Sequence, residues 1–399
     1  MIEVAKFVVC LREAGVEFFV GVPDSLLKSF CAYLTDTCGD NHVIAANEGG
    51  AVGLASGHYL ATGKPALVYM QNSGQGNAIN PLCSLADPDV YAIPMVLLVG
   101  WRGEPGVKDE PQHVKQGKVT ISLFETLDIP TEVLPNDESA ALELTRKMVE
   151  KARAESRPVA LVVRKGLFAE YALQNKESDI ASVRREDAIE GVLRGLPEDA
   201  VIVSTTGMIS REVYETRERL GQGHACDFLT VGSMGHAIMI ALGIAKAQPK
   251  RRVYCLDGDG ASIMHLGNMA IAGHSGCENL THIVFNNAAH DSVGGQPTVG
   301  GKIDFEKIAE ELGYNVLQSP QDQFAGDRPI SVDEIASGMA WLVSMEEQFE
   351  QHKPAYYDEL PKKPNFILFK VAKGARTDLG RPKEPPQVNK KLYMETLSR

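Results

Sequence analysis

Two short polar segments, Gly258-Asp-Gly260 and Asn286-Asn287, stand 25 residues apart and carry the clearest chemistry of the chain. Apolar runs at 252–256 and 280–285 precede them, so each segment is predicted to follow a buried strand, with a helix over 261–275 between the strands. The carboxyl ends of parallel strands face the ligand crevice in open α/β sheets. Carboxylate and amide oxygens suit Mg2+ or Ca2+, while glycines and a following helix N-terminus suit phosphate. The pattern therefore predicts a metal-bridged diphosphate.

Glu48 is a second candidate for chemistry, because it stands where a predicted strand passes into a helix rich in small residues, within the segment 46–57. A single acid at a helix N-terminus often does no more than interact favourably with the helix dipole. Taken alone, the residues around Glu48 leave a structural and a catalytic role open.

Predicted strands and helices alternate along all 399 residues, which is typical of parallel sheets with helices on both faces. The length indicates more than one domain. We predict an α/β protein with two doubly wound parallel-sheet domains, at 1–170 and 186–372. A polar stretch without periodicity, 171–185, is predicted to be the linker, and the proline-rich and charged end, 373–399, an extended tail.

Composition excludes several classes of protein. The net charge of −12 disfavours nucleic acid or an anionic membrane surface as a partner. There is no apolar run of 18 residues, and the first residues lack the layout of a signal peptide. Seven cysteines without a CxxC spacing favour a reducing compartment. We therefore expect a cytoplasmic protein that binds neither membrane nor nucleic acid.

The two polar segments around Asp259 and Asn287 resemble the cofactor motif of thiamine-diphosphate enzymes. The segments 46–57 and 63–80 resemble the part of those enzymes that carries an activating glutamate, and Gly232-Ser-Met-Gly235 resembles the element beneath the bent cofactor. The resemblance implies thiamine diphosphate with Mg2+ or another hard cation such as Ca2+, with Glu48 hydrogen-bonded to N1′ of the pyrimidine. The implied metal ligands are Asp259, Asn287 and the carbonyl of Ala289. The other implied cofactor contacts are Gly232, Ser233, Met234, Gly258, Gly260, Ala261 and Ser262. For Met234, ordinary core packing is the alternative.

Three polar loops, at 21–28, 100–113 and 290–298, are similar to those of phosphonopyruvate decarboxylases. These belong to a short branch of the thiamine-diphosphate decarboxylases that has two domains and no middle domain, and the related sulfopyruvate decarboxylases share that architecture. The resemblance implies decarboxylation of the 2-keto acid 3-phosphonopyruvate to phosphonoacetaldehyde and carbon dioxide, in phosphonate biosynthesis. It also implies a homo-oligomer, at least a dimer, with the cofactor site between subunits.

A substrate that carries a carboxylate and a phosphonate needs cationic and hydroxyl donors. The candidate substrate contacts are Asp24, Ser25, Lys28, Arg102, His113, His290 and Gln296. The candidate catalytic residues are Glu48, His113, His290 and Asp291, because a histidine beside the cofactor could supply a proton after carbon dioxide leaves. For several of these loop residues, a solvated surface charge is the alternative.

Other functions stay open on the sequence alone. Sulfopyruvate decarboxylation is the nearest, because sulfonate and phosphonate are similar in shape. Carboligation of a 2-keto acid to an aldehyde is another, and a cofactor-binding regulator without turnover is a third.

Overall fold

The computed structural model describes residues 1–324, 328–354 and 361–398. The chain forms two compact units. The first contains Met1–Glu177 together with Ser292–Gln296, and the second contains the rest of the described chain. The division after Glu177 falls inside the stretch 171–185 that we predicted to be a linker.

Six parallel strands form the sheet of the first unit, in the order β2-β1-β3-β4-β6-β5. The strands are β1 Phe19–Gly21, β2 His42–Ile44, β3 Ala66–Gln71, β4 Met95–Gly100, β5 Thr131–Val133 and β6 Pro158–Val163. The helices are α1 Val4–Glu13, α2 Lys28–Thr37, α3 Glu48–Thr62, α4 Gln75–Pro81, α5 Pro111–Thr126 and α6 Glu138–Ala154.

The second unit repeats this topology. Its parallel sheet has the order β13-β14-β10-β9-β7-β8, which is the same path when read from the other edge. The strands are β7 Val201–Ser204, β8 Asp227–Leu229, β9 Val253–Gly258, β10 Leu280–Asn286, β13 Asn315–Val316 and β14 Asn365–Lys370. Two short strands, β11 Ala289–His290 and β12 Gln296–Pro297, form a separate two-stranded ribbon. The helices are α7 Arg185–Gly195, α8 Met208–Leu220, α9 Ala237–Ala247, α10 Asp259–Met264, α11 Gly267–Gly273, α12 Phe305–Glu311, α13 Pro320–Phe324, α14 Val332–His352 and α15 Pro386–Leu397.

Apolar residues on both faces of the central strands explain the doubly wound layout. In β3, Leu67 and Tyr69 belong to one buried cluster, whereas Val68 and Met70 belong to another. Because successive side chains of a strand point to opposite faces, a strand that is apolar at every position must be covered by helices on both sides. The predicted α/β fold with two parallel sheets is confirmed.

The helix predicted over 261–275 is two helices in the structure. The first, α10, ends at Met264, and α11 begins at Gly267. Between them His265 has φ −133° and ψ 54°, which is outside the helical region. Glycine costs about 1 kcal/mol relative to alanine inside a helix, so Gly267 favours a break at this point.

The predicted extended tail is folded onto the second unit, apart from Arg399, which lies outside the described residues. Arg376 pairs with Glu186 on α7 and with Glu215 on α8. Helix α15 then packs near strand β8, where the Asn389 amide donates to the Asp227 carbonyl at 2.8 Å. Tyr393 of α15 is 4% exposed and belongs to a buried cluster of this unit. Sequence periodicity missed this helix because Tyr393 is its only buried residue, so it carries no repeating apolar face.

None of the helices in the described ranges is both long and apolar enough to cross a membrane.

Tyr393→Ala should destabilise the second unit, because it removes a buried aromatic ring. Loss of a buried aromatic side chain costs about 3–5 kcal/mol, to be measured as the free energy of unfolding in urea. The matched control is Tyr393→Phe, since the buried Tyr393 hydroxyl has no hydrogen-bond partner among the described residues and its removal should leave stability unchanged or higher. Equal stability of the alanine variant and the parent would show that α15 contributes nothing to this unit.

Candidate active site

Asp259 and Asn287 lie together at the carboxyl end of the second sheet. The register of β9 and β10 pairs Gly258 with Phe285, so both strands end at nearly the same level. Each of the two polar side chains is 3% exposed. The backbone N–H groups of Gly260 and Asn287 stabilise the Asp259 carboxylate, which therefore contacts the asparagine segment directly.

The Asp259 carboxylate is buried among neutral donors. Burial raises its pKa from the ordinary 3.8 to about 6, although the Thr298 hydroxyl donates a short hydrogen bond to it. A buried carboxylate is stabilised by a cation, and oxygen ligands select hard ions such as Mg2+ or Ca2+. Asp259, the Asn287 side-chain oxygen and the nearby Ala289 carbonyl are thus suited to hold such an ion.

Two glycines make room around this carboxylate. A Cβ added to Gly300 would lie 2.5 Å from an oxygen of Asp259. A Cβ added to Gly260 would lie 3.2 Å from Cε1 of His290, so the His290 ring lies close to the Gly-Asp-Gly segment, as we expected from the sequence. Burial lowers the pKa of His290 to about 4, which makes the imidazole neutral at pH 7.

Ser262 is turned toward the protein. Its hydroxyl donates to Asp257 at 3.2 Å, and the same carboxylate accepts the Gly258 N–H at 2.9 Å and lies 3.4 Å from Nε2 of His282. Asp257 and His282 are fully buried. These contacts fix the turn that presents Asp259, whereas Ala261 is 5% exposed in the first turn of α10.

The segment predicted to support the cofactor contains strained backbone. Ser233 has φ 56° and Gly235 has φ 81°, and the Gly235 carbonyl accepts from the Asn268 amide at 3.0 Å. A left-handed serine is uncommon and typical of functional segments. Met234 is partly exposed, as is Gly232, which is consistent with a side chain kept available rather than packed away.

Glu48 is the first residue of α3, after the N-cap Asn47, whose side chain accepts the Gly50 N–H at 2.8 Å. Its side chain is 4% exposed and accepts a hydrogen bond from the Asn77 amide at 2.7 Å. Burial raises the pKa of Glu48, against the effect of Asn77. A Cβ on Gly74 would overlap the Glu48 carboxyl, so this glycine creates the space for it.

Asp24 is completely buried at the carboxyl end of β1. Its carboxylate accepts from the Gln71 amide at 2.6 Å and from the Leu26 N–H at 2.9 Å. Burial raises its pKa. Such a carboxylate shapes the loop at 21–28 and is poorly exposed to a substrate.

Arg102 is held in place by Asp109. Its Nε donates to Asp109 at 2.8 Å, its Nη2 donates to the other oxygen, and its Nη1 donates to the Ser25 hydroxyl at 2.9 Å. The Asp109 hydrogen bond raises the pKa of Arg102. The guanidinium is thus fixed beside Ser25, with much of its charge compensated.

The remaining substrate candidates differ in exposure. His113 is 8% exposed, and its buried Nδ1 has no hydrogen-bond partner in the part of the chain that the structure describes. Lys28 is exposed at the start of α2. Gln296 groups with the first unit, where it is fully buried and its amide donates to the Lys28 carbonyl at 3.4 Å.

Asp291, which we predicted to be catalytic, lies in a buried ionic network of the second unit. Its carboxylate pairs with Arg185 at 2.8 Å, and Arg185 also pairs with Glu212 at 2.8 Å. Sequence reasoning missed Arg185, because it was placed in the linker, and it missed Glu212, Thr298, Asn77 and Asp109. Nothing in the local pattern marks these residues, since their partners are distant in the chain or lie in irregular loops.

Comparison with known proteins identifies the family. The model of the thiamine pyrophosphate enzyme N-terminal TPP-binding domain matches residues 4–123, and that of the C-terminal TPP-binding domain matches residues 205–340. Phosphonopyruvate decarboxylase of Streptomyces viridochromogenes is 32% identical over 97% of this chain and 92% of its own length. Its counterpart in Streptomyces hygroscopicus is 31% identical over 99% of this chain and 94% of its own length. Sulfopyruvate decarboxylase of Methanosarcina acetivorans is 27% identical over 77% of this chain and 82% of its own length. The chain therefore belongs to the family of thiamine-diphosphate-dependent 2-keto acid decarboxylases that contains phosphonopyruvate decarboxylase, and it is a carboxy-lyase that uses thiamine diphosphate.

Proposed function

We propose that the substrate is 3-phosphonopyruvate, which is decarboxylated to phosphonoacetaldehyde and carbon dioxide with Mg2+ as the metal. The observation that carries the proposal is the similarity to phosphonopyruvate decarboxylases over nearly the whole of both chains. The relative that acts on sulfopyruvate covers less of this chain.

Glu48 would hold the proton that the cofactor shares. Thiamine diphosphate, when bound, supplies a carbon nucleophile and a sink for the electrons that the departing carboxylate leaves behind. The raised pKa of Glu48 favours its protonated form, which can hydrogen-bond to N1′ of the pyrimidine. Asn77 fixes the orientation of the carboxyl group.

The second unit would hold the metal and the diphosphate. Asp259, the Asn287 amide oxygen and the Ala289 carbonyl are the proposed ligands, and Gly258, Gly260 and Ala261 lie in the same segment. The Ser262 hydroxyl is already used by Asp257, so we assign it to the turn itself. Gly232, Ser233 and Met234 are proposed to contact the pyrimidine ring.

Donors of the first unit are proposed to recognise the substrate anion. Arg102 and Ser25 form one fixed pair of donors, and the exposed Lys28 offers a positive charge. His290, whose ring lies close to Gly260, would move a proton once carbon dioxide has left. Because burial keeps both His113 and His290 neutral at pH 7, they would act as hydrogen-bonding groups rather than as fixed cations.

We further propose that the chain acts as a homo-oligomer, at least a dimer, with each cofactor site completed by a partner subunit. Oligomers of this kind fit the presence of Glu48 and the metal ligands in different units. Sulfopyruvate is the second candidate substrate, supported by the relative in Methanosarcina acetivorans.

The direct test is carbon dioxide release from phosphonopyruvate, sulfopyruvate and pyruvate, each with and without thiamine diphosphate and Mg2+. We expect cofactor-dependent release that is fastest with phosphonopyruvate, with phosphonoacetaldehyde as the product. Faster release from sulfopyruvate would contradict the substrate assignment and keep the decarboxylase chemistry.

Glu48→Gln should retain cofactor binding and lose turnover. Positioned acid–base groups contribute roughly 10²–10⁴-fold to rate, so turnover should fall by at least about 100-fold. Cofactor binding is measured by calorimetry and turnover by carbon dioxide release. The control is Glu17→Gln, an exposed acid of the same unit, which should behave as the parent. A parent-like rate for Glu48→Gln would show that this carboxyl is not the activating one.

His113 should remain neutral well below pH 6.5, because burial and the nearby Arg102 lower its pKa to about 4. The unfolded chain then binds the proton first, so stability is fully present above about pH 6.5 and is lost as the pH falls toward 4, by up to about 3 kcal/mol. His113→Gln should weaken this acid destabilisation, measured as the urea midpoint between pH 7 and 4.5. The exposed His352→Gln is the control. An NMR titration of the His113 ring with a midpoint near 6.5 would disprove the burial effect.

A further inference from the structure

The Asp291 carboxylate is the centre of a buried network in the second unit. One oxygen, Oδ2, accepts three hydrogen bonds: from Arg185 Nη1 at 2.8 Å, from Asn287 Nδ2 at 2.6 Å and from the Gly374 N–H at 3.0 Å. The donors come from α7, from the loop after β10 and from the segment after β14. The network thus ties the asparagine segment to two distant parts of the chain.

Arg185 supplies the charge that lets this carboxylate be buried. Its side chain is 5% exposed, and those of Asp291 and Glu212 are 9% and 2% exposed. The guanidinium makes a two-point contact with Glu212, at 2.8 and 3.0 Å, and uses a third nitrogen for Asp291. Buried charges persist only when they are paired and hydrogen-bonded, so the three side chains form one unit.

The network decides which way the Asn287 amide faces. An amide can turn by half a revolution and exchange its oxygen and nitrogen. Here the nitrogen donates to Asp291, which offers only acceptor atoms, and the oxygen accepts the Ala289 N–H at 3.1 Å. Both contacts favour the same orientation, in which the oxygen is turned away from Asp291.

We propose that Asp291, held by Arg185, is a positioning residue that fixes the Asn287 oxygen for the metal and thereby sets metal affinity. The inference rests on the proposed metal site of Asp259, Asn287 and Ala289. Partners of metal ligands commonly change metal affinity by about 10–100-fold when they are removed. Three hydrogen bonds to one oxygen are typical of a structural carboxylate, so a positioning role is the alternative to the acid–base role that the sequence suggested for Asp291.

The test is Mn2+ binding in the presence of thiamine diphosphate, measured as free Mn2+ by electron paramagnetic resonance, together with the turnover rate at saturating metal. Mn2+ accepts the same oxygen ligands as Mg2+. Asp291→Ala should raise the Kd for Mn2+ by about 10–100-fold, with turnover largely recovered at saturating metal. Asp291→Asn keeps an acceptor for all three donors and leaves the Arg185–Glu212 pair balanced, so it should restore Mn2+ binding toward the parent.

Asp227→Ala and Asp227→Asn are the matched controls. Asp227 is a fully buried aspartate that pairs with Arg217 at 3.1 Å on the edge strand β8. Its removal should destabilise the fold in urea without changing the Kd for Mn2+. This separates a local effect on the metal from a general loss of stability.

The outcomes distinguish a positioning role of Asp291 from a catalytic role and from no role at the metal site. An unchanged Kd for Mn2+ in Asp291→Ala would overturn the positioning role. A turnover rate that is lower by about 100-fold or more in Asp291→Asn at saturating metal would also overturn it and favour catalysis, since that is the loss expected for an acid–base group. If Asp291→Ala does not fold, the choice between a positioning and a catalytic role rests on the turnover and the Mn2+ affinity of the Asp291→Asn variant. Failure of the parent itself to bind Mn2+ with thiamine diphosphate would instead contradict the proposed metal site.

Discussion

The parallel register of β9 and β10 is the constraint on which the proposed metal-binding edge depends. It places Asp259 and Asn287 just beyond paired strand ends, and a slip by one residue would turn every side chain of a strand to the opposite face. Asn286 then builds the loop rather than the site. Its amide donates to the Gly300 carbonyl at 2.8 Å, and its oxygen accepts the N–H of Ala288, which has φ 55°. Asn286 thus shapes the backbone. Asn287 also accepts a backbone N–H, from Ala289 at 3.1 Å, but an amide oxygen has a second lone pair that could bind the proposed metal.

The negative charges of the buried aspartates in the second unit are compensated in different ways. The difference supports Asp259 as the proposed metal ligand. Asp291 pairs with the guanidinium of Arg185 at 2.8 Å, and Asp227 pairs with that of Arg217 at 3.1 Å. Asp259, in the described contacts, has only the Thr298 hydroxyl and backbone N–H groups. Neutral donors solvate a carboxylate without cancelling its charge, so a cation would stabilise Asp259 more than it would stabilise Asp291 or Asp227. Charge compensation therefore distinguishes Asp259, the proposed metal ligand, from the aspartates that an arginine pairs.

The features that depend on local residue patterns could be predicted from the sequence. The Gly258–Gly260 segment and the asparagine pair follow apolar strands, so their meeting at one sheet edge required only the rules of parallel sheets. The buried network was not predictable in the same way. Arg185 meets Asp291 across 106 residues, and it stands in a polar stretch without periodicity. Pairing between such distant positions follows from the complete fold, since no neighbouring residue specifies it.

The repeated sheet gives each proposed task an electrostatic environment of its own. Glu48 is to carry a proton near neutral pH, and it lies buried beside a neutral amide, Asn77, which leaves its pKa raised. Asp259 is to be ionised, because a metal ligand must give up its proton. A cation beside Glu48 would lower the pKa of that carboxyl and oppose the proton sharing. Two sheets with the same strand order provide two equivalent carboxyl edges, so one edge can hold an acid whose pKa burial raises while the other would bind the cation. Glu48 and Asp259 belong to different sheets, and the proposed functions explain why: one buried acid must hold a proton, and the other must lose its proton to bind a metal.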